Sequence, residues 1–86
     1  MIITEKTPKI LFALKGYYKG TKKEGLLRKA VFHNNEPINI LVAHKCLDIV
    51  KSVVKEGSAH PVEIEYCIRY FSEVTGYSAT KFNEAV

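Results

Sequence analysis

Lysines interleaved with glycines and tyrosines form the segment of this sequence best suited to binding chemistry. Residues 15–23 read Lys-Gly-Tyr-Tyr-Lys-Gly-Thr-Lys-Lys. Lysines contact backbone phosphates, exposed tyrosine rings stack on unpaired bases, and the turn amides around Gly20 are expected to add anion contacts. The competing interpretation buries Tyr17 and Tyr18 in the core and leaves the lysines as solvated surface. The binding interpretation predicts phosphate contacts from this segment and the next helix: Lys15, Lys19, Lys22, Lys23, Arg28 and Lys29.

Charge is distributed unevenly along the chain. Residues 1–35 carry eight Lys or Arg and two Glu, whereas residues 36–86 carry five basic and seven acidic side chains, for a net charge of +4. A basic front half favours a polyanionic partner. We expect this partner to be nucleic acid, and DNA rather than RNA. The alternative partner is an acidic protein surface, and in that case the positive charge would mainly raise the rate of association.

A second segment, residues 71–86, combines a small residue, a glycine four positions later and apolar anchors beyond it. Ser72 is the small residue, Gly76 suits a left-handed turn, and Ser78 suits a helix cap. In this spacing the segment resembles the helix-turn-helix of bacterial and phage regulators, with Phe82 anchoring the second helix. The resemblance implies DNA recognition through the major groove by a last short helix, over residues 79–85. The residues that it places toward the groove are Ser78, Ala79, Thr80, Lys81 and Asn83.

This segment also departs from the pattern of that family. Ser72 stands where Ala is usual, Thr75 occupies a position that is normally apolar, and Lys81 is the one cation of the second helix. The alternative is a pair of ordinary helices joined by a glycine turn. A homodimer would fit the DNA interpretation, because paired half-sites need two copies of a short recognition helix.

The cysteines and histidines do not assemble a catalytic site by spacing. Cys46 and Cys67 each fall on an apolar helical face and lack the Cys-x-x-Cys pairing of a zinc site. His44 precedes Cys46 by two positions, so the two side chains point apart on a helix. His33 is expected to end a helix and His60 to begin one. We therefore expect a protein that is not an enzyme and has no metal or cofactor.

The periodicity of apolar residues predicts helices and short turns. Thr7-Pro8 is expected to open a first helix, and Thr21 with Glu24 matches a capping box for a second. The strongest helix spans 37–56 and ends at Gly57. Residues 62–74 fit a helix, although residues 62–70 also alternate like a strand, and a strand over 9–14 competes with the first helix.

We therefore expect a single all-α domain over residues 1–86, a compact bundle of four or five short helices with a C-terminal helix-turn-helix-like unit. The alternative is an α+β fold if residues 62–70 form a strand. The predicted core comprises Ile10, Leu11, Leu14, Leu27, Val31, Val42, Cys46, Ile49, Val50, Ile64, Ile68, Phe71 and Phe82.

The predicted function is nucleic-acid binding, most simply DNA binding in regulation, by the basic front half and the last helix. The alternative is a protein-binding module, an inhibitor or adaptor of the kind phages encode. The first six residues do not read as a secretory signal, and no run of about 18 apolar residues occurs. Together with two cysteines expected to stay reduced, these features favour a cytoplasmic protein without a membrane partner.

Overall fold

Five helices make up the fold in a computed structural model that describes residues 7–32 and 38–83. They are α1 (Lys9–Tyr17), α2 (Lys22–Val31), α3 (Ile40–Lys55), α4 (Val62–Thr75) and α5 (Ala79–Asn83). The described residues contain no strand. The all-α prediction is confirmed, and the strands considered over 9–14 and 62–70 are wrong. The described chain measures 32 × 30 × 22 Å.

The first helix begins one residue later than the sequence predicted. Pro8, with extended backbone, occupies the N-cap position without a side-chain cap, so the prediction that Thr7 caps α1 is wrong. Thr7 is instead buried, and its hydroxyl hydrogen-bonds with the phenol of Tyr70 on α4. The proline therefore starts the helix, while the threonine before it ties this end of the chain to the core.

The predicted capping box at the start of α2 is present in altered form. Thr21 is the N-cap residue, but its hydroxyl donates to the carbonyl of Tyr18 (2.6 Å) and accepts no amide of α2. Glu24 does reach back, and its Oε1 accepts from the amide of Gly20 (3.0 Å). That amide is therefore occupied within the protein, so the anion contacts predicted for this turn would have to come from its other amides.

Helix α3 carries strong signals at both ends. Asn39 caps it, with its side-chain oxygen accepting from the amide of Leu41 (2.7 Å). The start predicted at 37 is wrong, because Asn39 has an extended backbone and the helix begins at Ile40. Helix α2 ends at Val31, two residues before the end predicted at His33, which itself lies outside the described residues. Gly57 ends the helix as predicted, with φ of +85°. The amides of Gly57 and Ser58 donate back to Val54 and Val53, which is the Schellman arrangement of a helix C-terminus.

The core surrounds α3, which contacts α2 and α4. Ten of the thirteen predicted core residues are buried, while Ile10, Val42 and Ile64 are only partly buried. Because α3 is covered by more than one neighbour, it buries a wider face than a single apolar stripe. The buried residues that the prediction left out are Ala30, Ile38, Ala43, Leu47, Val53, Cys67 and Tyr70.

The last helix is held by one aromatic side chain. Phe82 is fully buried, with its ring centroid 6.4 Å from Phe71 of α4 and 5.1 Å from His44 of α3. Gly76, with φ of +81°, makes the preceding turn as predicted. The helix was predicted to reach residue 85, and residues 84–86 lie outside the described range.

Candidate nucleic-acid interface

The end of α1, the connection after it and the start of α2 gather the most concentrated charge among the described residues. We call five residues of this region the basic turn: Tyr17, Tyr18, Lys19, Lys22 and Lys23. Gly20, with φ of +86°, allows the chain to reverse within a few residues. The described residues 7–32 carry seven Lys or Arg against a single acid, Glu24.

The two tyrosines of the basic turn have different environments. Tyr17 is 77% exposed, so the interpretation that buries it is wrong. Tyr18 is partly buried, and its ring lies edge-on to that of Tyr17 with a centroid separation of 4.8 Å. Lys23 Nζ lies 4.7 Å from the centroid of the Tyr18 ring, as a cation–π contact. Tyr18 is thus a structural support, and Tyr17 presents its ring to solvent.

Some of the basic side chains of residues 7–32 contact a partner within the protein, and others do not. Lys15 lies 5.4 Å from the ring centroid of Phe32, and Arg28 pairs with Glu24 at 2.8 Å. The pKa of Glu24 is lowered, first by the hydrogen bond from Gly20 and then by the one from Arg28. On the basic turn and α2, three exposed lysines form neither an ion pair nor a cation–π contact within the described ranges: Lys19, Lys22 and Lys29.

Two of these lysines share one face of α2. Lys22 and Lys29 are seven residues apart, which places them two turns and about 10 Å apart along the helix axis. Gly25 lies between them on the exposed side, where an added Cβ would meet no atom within 4 Å. An extended polyanion lying along this face would therefore meet two ammonium groups.

The segment resembling a helix-turn-helix forms two helices with a tight turn. The polar residues at its two departures from the family pattern hold that turn together. Ser72 Oγ donates to the carbonyl of Tyr77 (2.8 Å), and Thr75 Oγ1 donates to the carbonyl of Phe71 (2.6 Å) and accepts from the amide of Tyr77 (3.3 Å). Their roles are therefore local and structural.

The predicted recognition residues of this unit are mostly exposed. Ser78, Thr80 and Lys81 lie on the surface, and Asn83 is the last residue of α5. A cleft of about 500 Å³ runs beside them between Ala79 and α4, and it is lined by both signs of charge: Glu65, Arg69 and Glu73. This surface carries less positive potential than the basic turn.

A third concave surface joins α1 to α4 and was missed by the sequence analysis. Pro8, Tyr66 and Tyr70 line a groove of about 530 Å³, with charged residues around them, and Tyr66 is 48% exposed. Its walls come from residues more than fifty positions apart, so no local pattern could reveal it. The sequence signal that was present is Tyr66 itself, an aromatic off the main apolar stripe of residues 62–74.

The two cysteines are core thiols. Cys46 Sγ donates to the carbonyl of Leu26 at 3.4 Å, and burial raises the pKa of both thiols to about 12. His60 Nδ1 accepts from the amide of Val62 at the start of α4. The described part of the chain holds no cluster of three metal-ligating side chains and no helix long and apolar enough to span a membrane.

No protein-family model, curated protein or solved structure matches this chain.

Proposed function

We propose that this protein binds nucleic acid through the basic turn and the exposed face of α2. The observation that carries the proposal is that three exposed lysines of the basic turn and α2 have neither an ion-pair partner nor a ring contact in the described residues: Lys19, Lys22 and Lys29. The one acid of residues 7–32, Glu24, is already paired with Arg28 and therefore does little to cancel their field.

Phosphate neutralisation explains why such a surface would prefer a polyanion. Each lysine that pairs with a phosphate releases condensed counterions, so the affinity falls with rising salt by a slope of about −0.9 per contact on duplex DNA. Three to five contacts would give a slope of roughly −3 to −5. An isolated carboxylate on a protein has no condensed counterions to release. Counterion release therefore favours nucleic acid over a sparsely charged protein surface as the partner.

The helix-turn-helix-like unit supplies a second contact in this proposal. The exposed residues Ser78, Thr80 and Lys81 can bind phosphates or base edges, and Phe82 anchors their helix to the core. This unit would add sequence preference, and a homodimer would present two copies of it. Specific binding to DNA would allow the protein to regulate transcription. The location that we propose for it is the cytoplasm.

Protein binding is the second candidate, and the α1–α4 groove is the observation that favours it. Tyr66 is a large, half-exposed aromatic at its edge, which is the kind of residue that anchors protein interfaces. In this case Lys9, Arg69 and the glutamates around the groove would select the partner by charge.

A salt series separates these proposals. Binding to a labelled DNA duplex is measured at several salt concentrations for the wild type, for Lys19→Glu/Lys22→Glu, and for Lys81→Glu. Lys45→Glu on α3 is the matched control, because Lys45 is exposed and lies outside both surfaces. We expect the double variant to lower affinity at least about tenfold and to flatten the salt slope by roughly 2.

The same salt series of DNA binding tests the role of α5. A loss of affinity in Lys81→Glu that exceeds the loss in Lys45→Glu supports its contact with DNA. Absence of binding to both the duplex and its separated single strands at low salt, where electrostatic attraction is strongest, rejects nucleic-acid binding and leaves the groove at Tyr66 as the surface to pursue.

A further inference from the structure

Tyr17 forms one edge of an apolar cleft as well as part of the basic turn. The cleft has a volume of about 370 Å³ and lies between α1 and the end of α3. Its walls are largely apolar, with Ile10, Ala13 and Leu14 on one side and Val53 and Ala59 on the other. Tyr17 is therefore largely exposed to solvent and also lines a concave surface able to receive a flat, apolar group.

The core does not depend on the Tyr17 ring. The side chain is 77% exposed, and its described ring contact is with Tyr18, which lies edge-on at an interplanar angle of 78°. Tyr18 is in turn held by Lys23. A ring that keeps an edge-to-face contact with its neighbour while its side chain is 77% exposed has the accessible surface that a stacking platform needs.

The charges around the cleft distinguish which part of a nucleotide would enter it. Glu56 contributes a carboxylate to the lining, and Ser58 contributes a hydroxyl. A carboxylate repels phosphate but accepts hydrogen bonds from the amino groups of bases. Lys19 and Lys22, on the other side of Tyr17 along the chain, attract phosphate instead.

We propose that this cleft takes an unpaired base, which stacks on Tyr17 while its flanking phosphates lie against Lys19 and Lys22. The preferred ligand of the basic turn is then a single strand, because the bases of a duplex are stacked on each other and cannot enter. This inference rests on the proposed nucleic-acid binding and specifies the substrate class of that surface.

The test compares two single strands that have the same charge. One is an oligodeoxycytidylate of about twelve nucleotides, whose bases carry amino groups, and the other is an abasic strand of equal length, which keeps the phosphates and lacks the bases. We expect the wild type to bind the strand with bases about tenfold more tightly than the abasic strand. Tyr17→Ala should abolish that difference and leave the salt slope unchanged, whereas Tyr17→Phe should keep both.

A second variant tests the cleft independently of the ring. Ala13 is an exposed residue that lines it, so Ala13→Leu fills the cleft without disturbing the core and should also reduce the difference between the strands. Circular dichroism confirms that each variant is folded. Equal binding of the two strands by the wild type, or a difference that survives Tyr17→Ala, overturns this inference while nucleic-acid binding stands. Absence of salt-dependent binding to both strands rejects the proposed function, and this inference with it.

Discussion

The phenol of Tyr70 donates a hydrogen bond of 2.6 Å to the carbonyl of Ala30, forty residues earlier in the chain. Tyr70 is 2% exposed, and its hydroxyl also hydrogen-bonds with Thr7. One side chain of α4 therefore joins the end of α2 to the segment that precedes α1. This contact fixes the position of the helical pair that carries the basic turn.

Removal of this hydroxyl should destabilise the whole fold. Tyr70→Phe keeps the ring but leaves the buried Ala30 carbonyl without its donor, which costs about 1–3 kcal/mol. The free energy of unfolding is measured in urea. Tyr66→Phe is the matched control, since that phenol belongs to a half-exposed residue. Equal stabilities of the two variants would contradict a structural role for the Tyr70 bond.

Two glycines should respond in opposite directions to substitution by alanine. Gly25 lies within α2, and an added methyl group would meet no neighbouring atom within 4 Å, so Gly25→Ala should stabilise the protein by roughly 0.5–1 kcal/mol. Gly76 has φ of +81°, and Gly76→Ala should destabilise it by about 1–2 kcal/mol. Urea unfolding of both variants provides the measurement. Stabilisation by Gly76→Ala would show that the turn adopts another conformation.

The fold was predictable where local chemistry and tertiary packing agree. Gly57 and Gly76 end helices as their conformational freedom suggests, and the apolar periodicity of residues 62–74 gives the observed α4. Prediction failed where a polar side chain found a distant or unexpected partner. Thr7 hydrogen-bonds with Tyr70 and caps no helix, and Glu24 accepts from Gly20, one residue before the position that a capping box implies.

The candidate site was only partly predictable for a related reason. The sequence identified the lysines of the basic turn but could not decide whether Tyr17 or Tyr18 is exposed, because both extend the same apolar stripe. That choice depends on where α1 leaves the core. The cleft beside Tyr17 is lined by α3 residues such as Val53 that lie far away in sequence, so it emerges only from the packing of the helices.

Alkaline pH should destabilise the fold through its buried thiols. Cys46 and Cys67 have ordinary pKa values of 9.0 that burial raises to about 12. The unfolded chain therefore loses these protons first as the pH rises. The stability that they contribute is fully present below pH 9 and is lost progressively toward pH 12. Each thiol should lower the free energy of unfolding by about 1.4 kcal/mol per pH unit in this window.

Urea unfolding under reducing conditions at a series of alkaline pH values measures this dependence. Cys67→Ala removes one thiol and should reduce the slope by about 1.4 kcal/mol per pH unit, whatever it does to stability at neutral pH. Burial also raises the pKa of Tyr70 above its ordinary value of 10.0, so this phenol should add a dependence of the same sign above pH 10. A free energy of unfolding that stays constant above pH 9 would contradict the burial of the thiols.

The two candidate nucleic-acid surfaces can be distinguished by removing a negative charge from each. Glu24 lies beside the basic turn, where it pairs with Arg28, and Glu65 lines the cleft beside Ala79. Glu24→Gln keeps an oxygen that can accept from Gly20, yet it frees Arg28 and raises the local positive potential. If the basic turn binds phosphates, this variant should increase affinity for a single strand by roughly two- to fivefold at low salt, as measured by fluorescence anisotropy.

Glu65→Gln removes the same charge from α4 and should leave that affinity nearly unchanged, because it is remote from Lys19 and Lys22 along the chain and lines a different cleft. The reverse result, an increase with Glu65→Gln alone, would move the phosphate contacts to the α4–α5 surface.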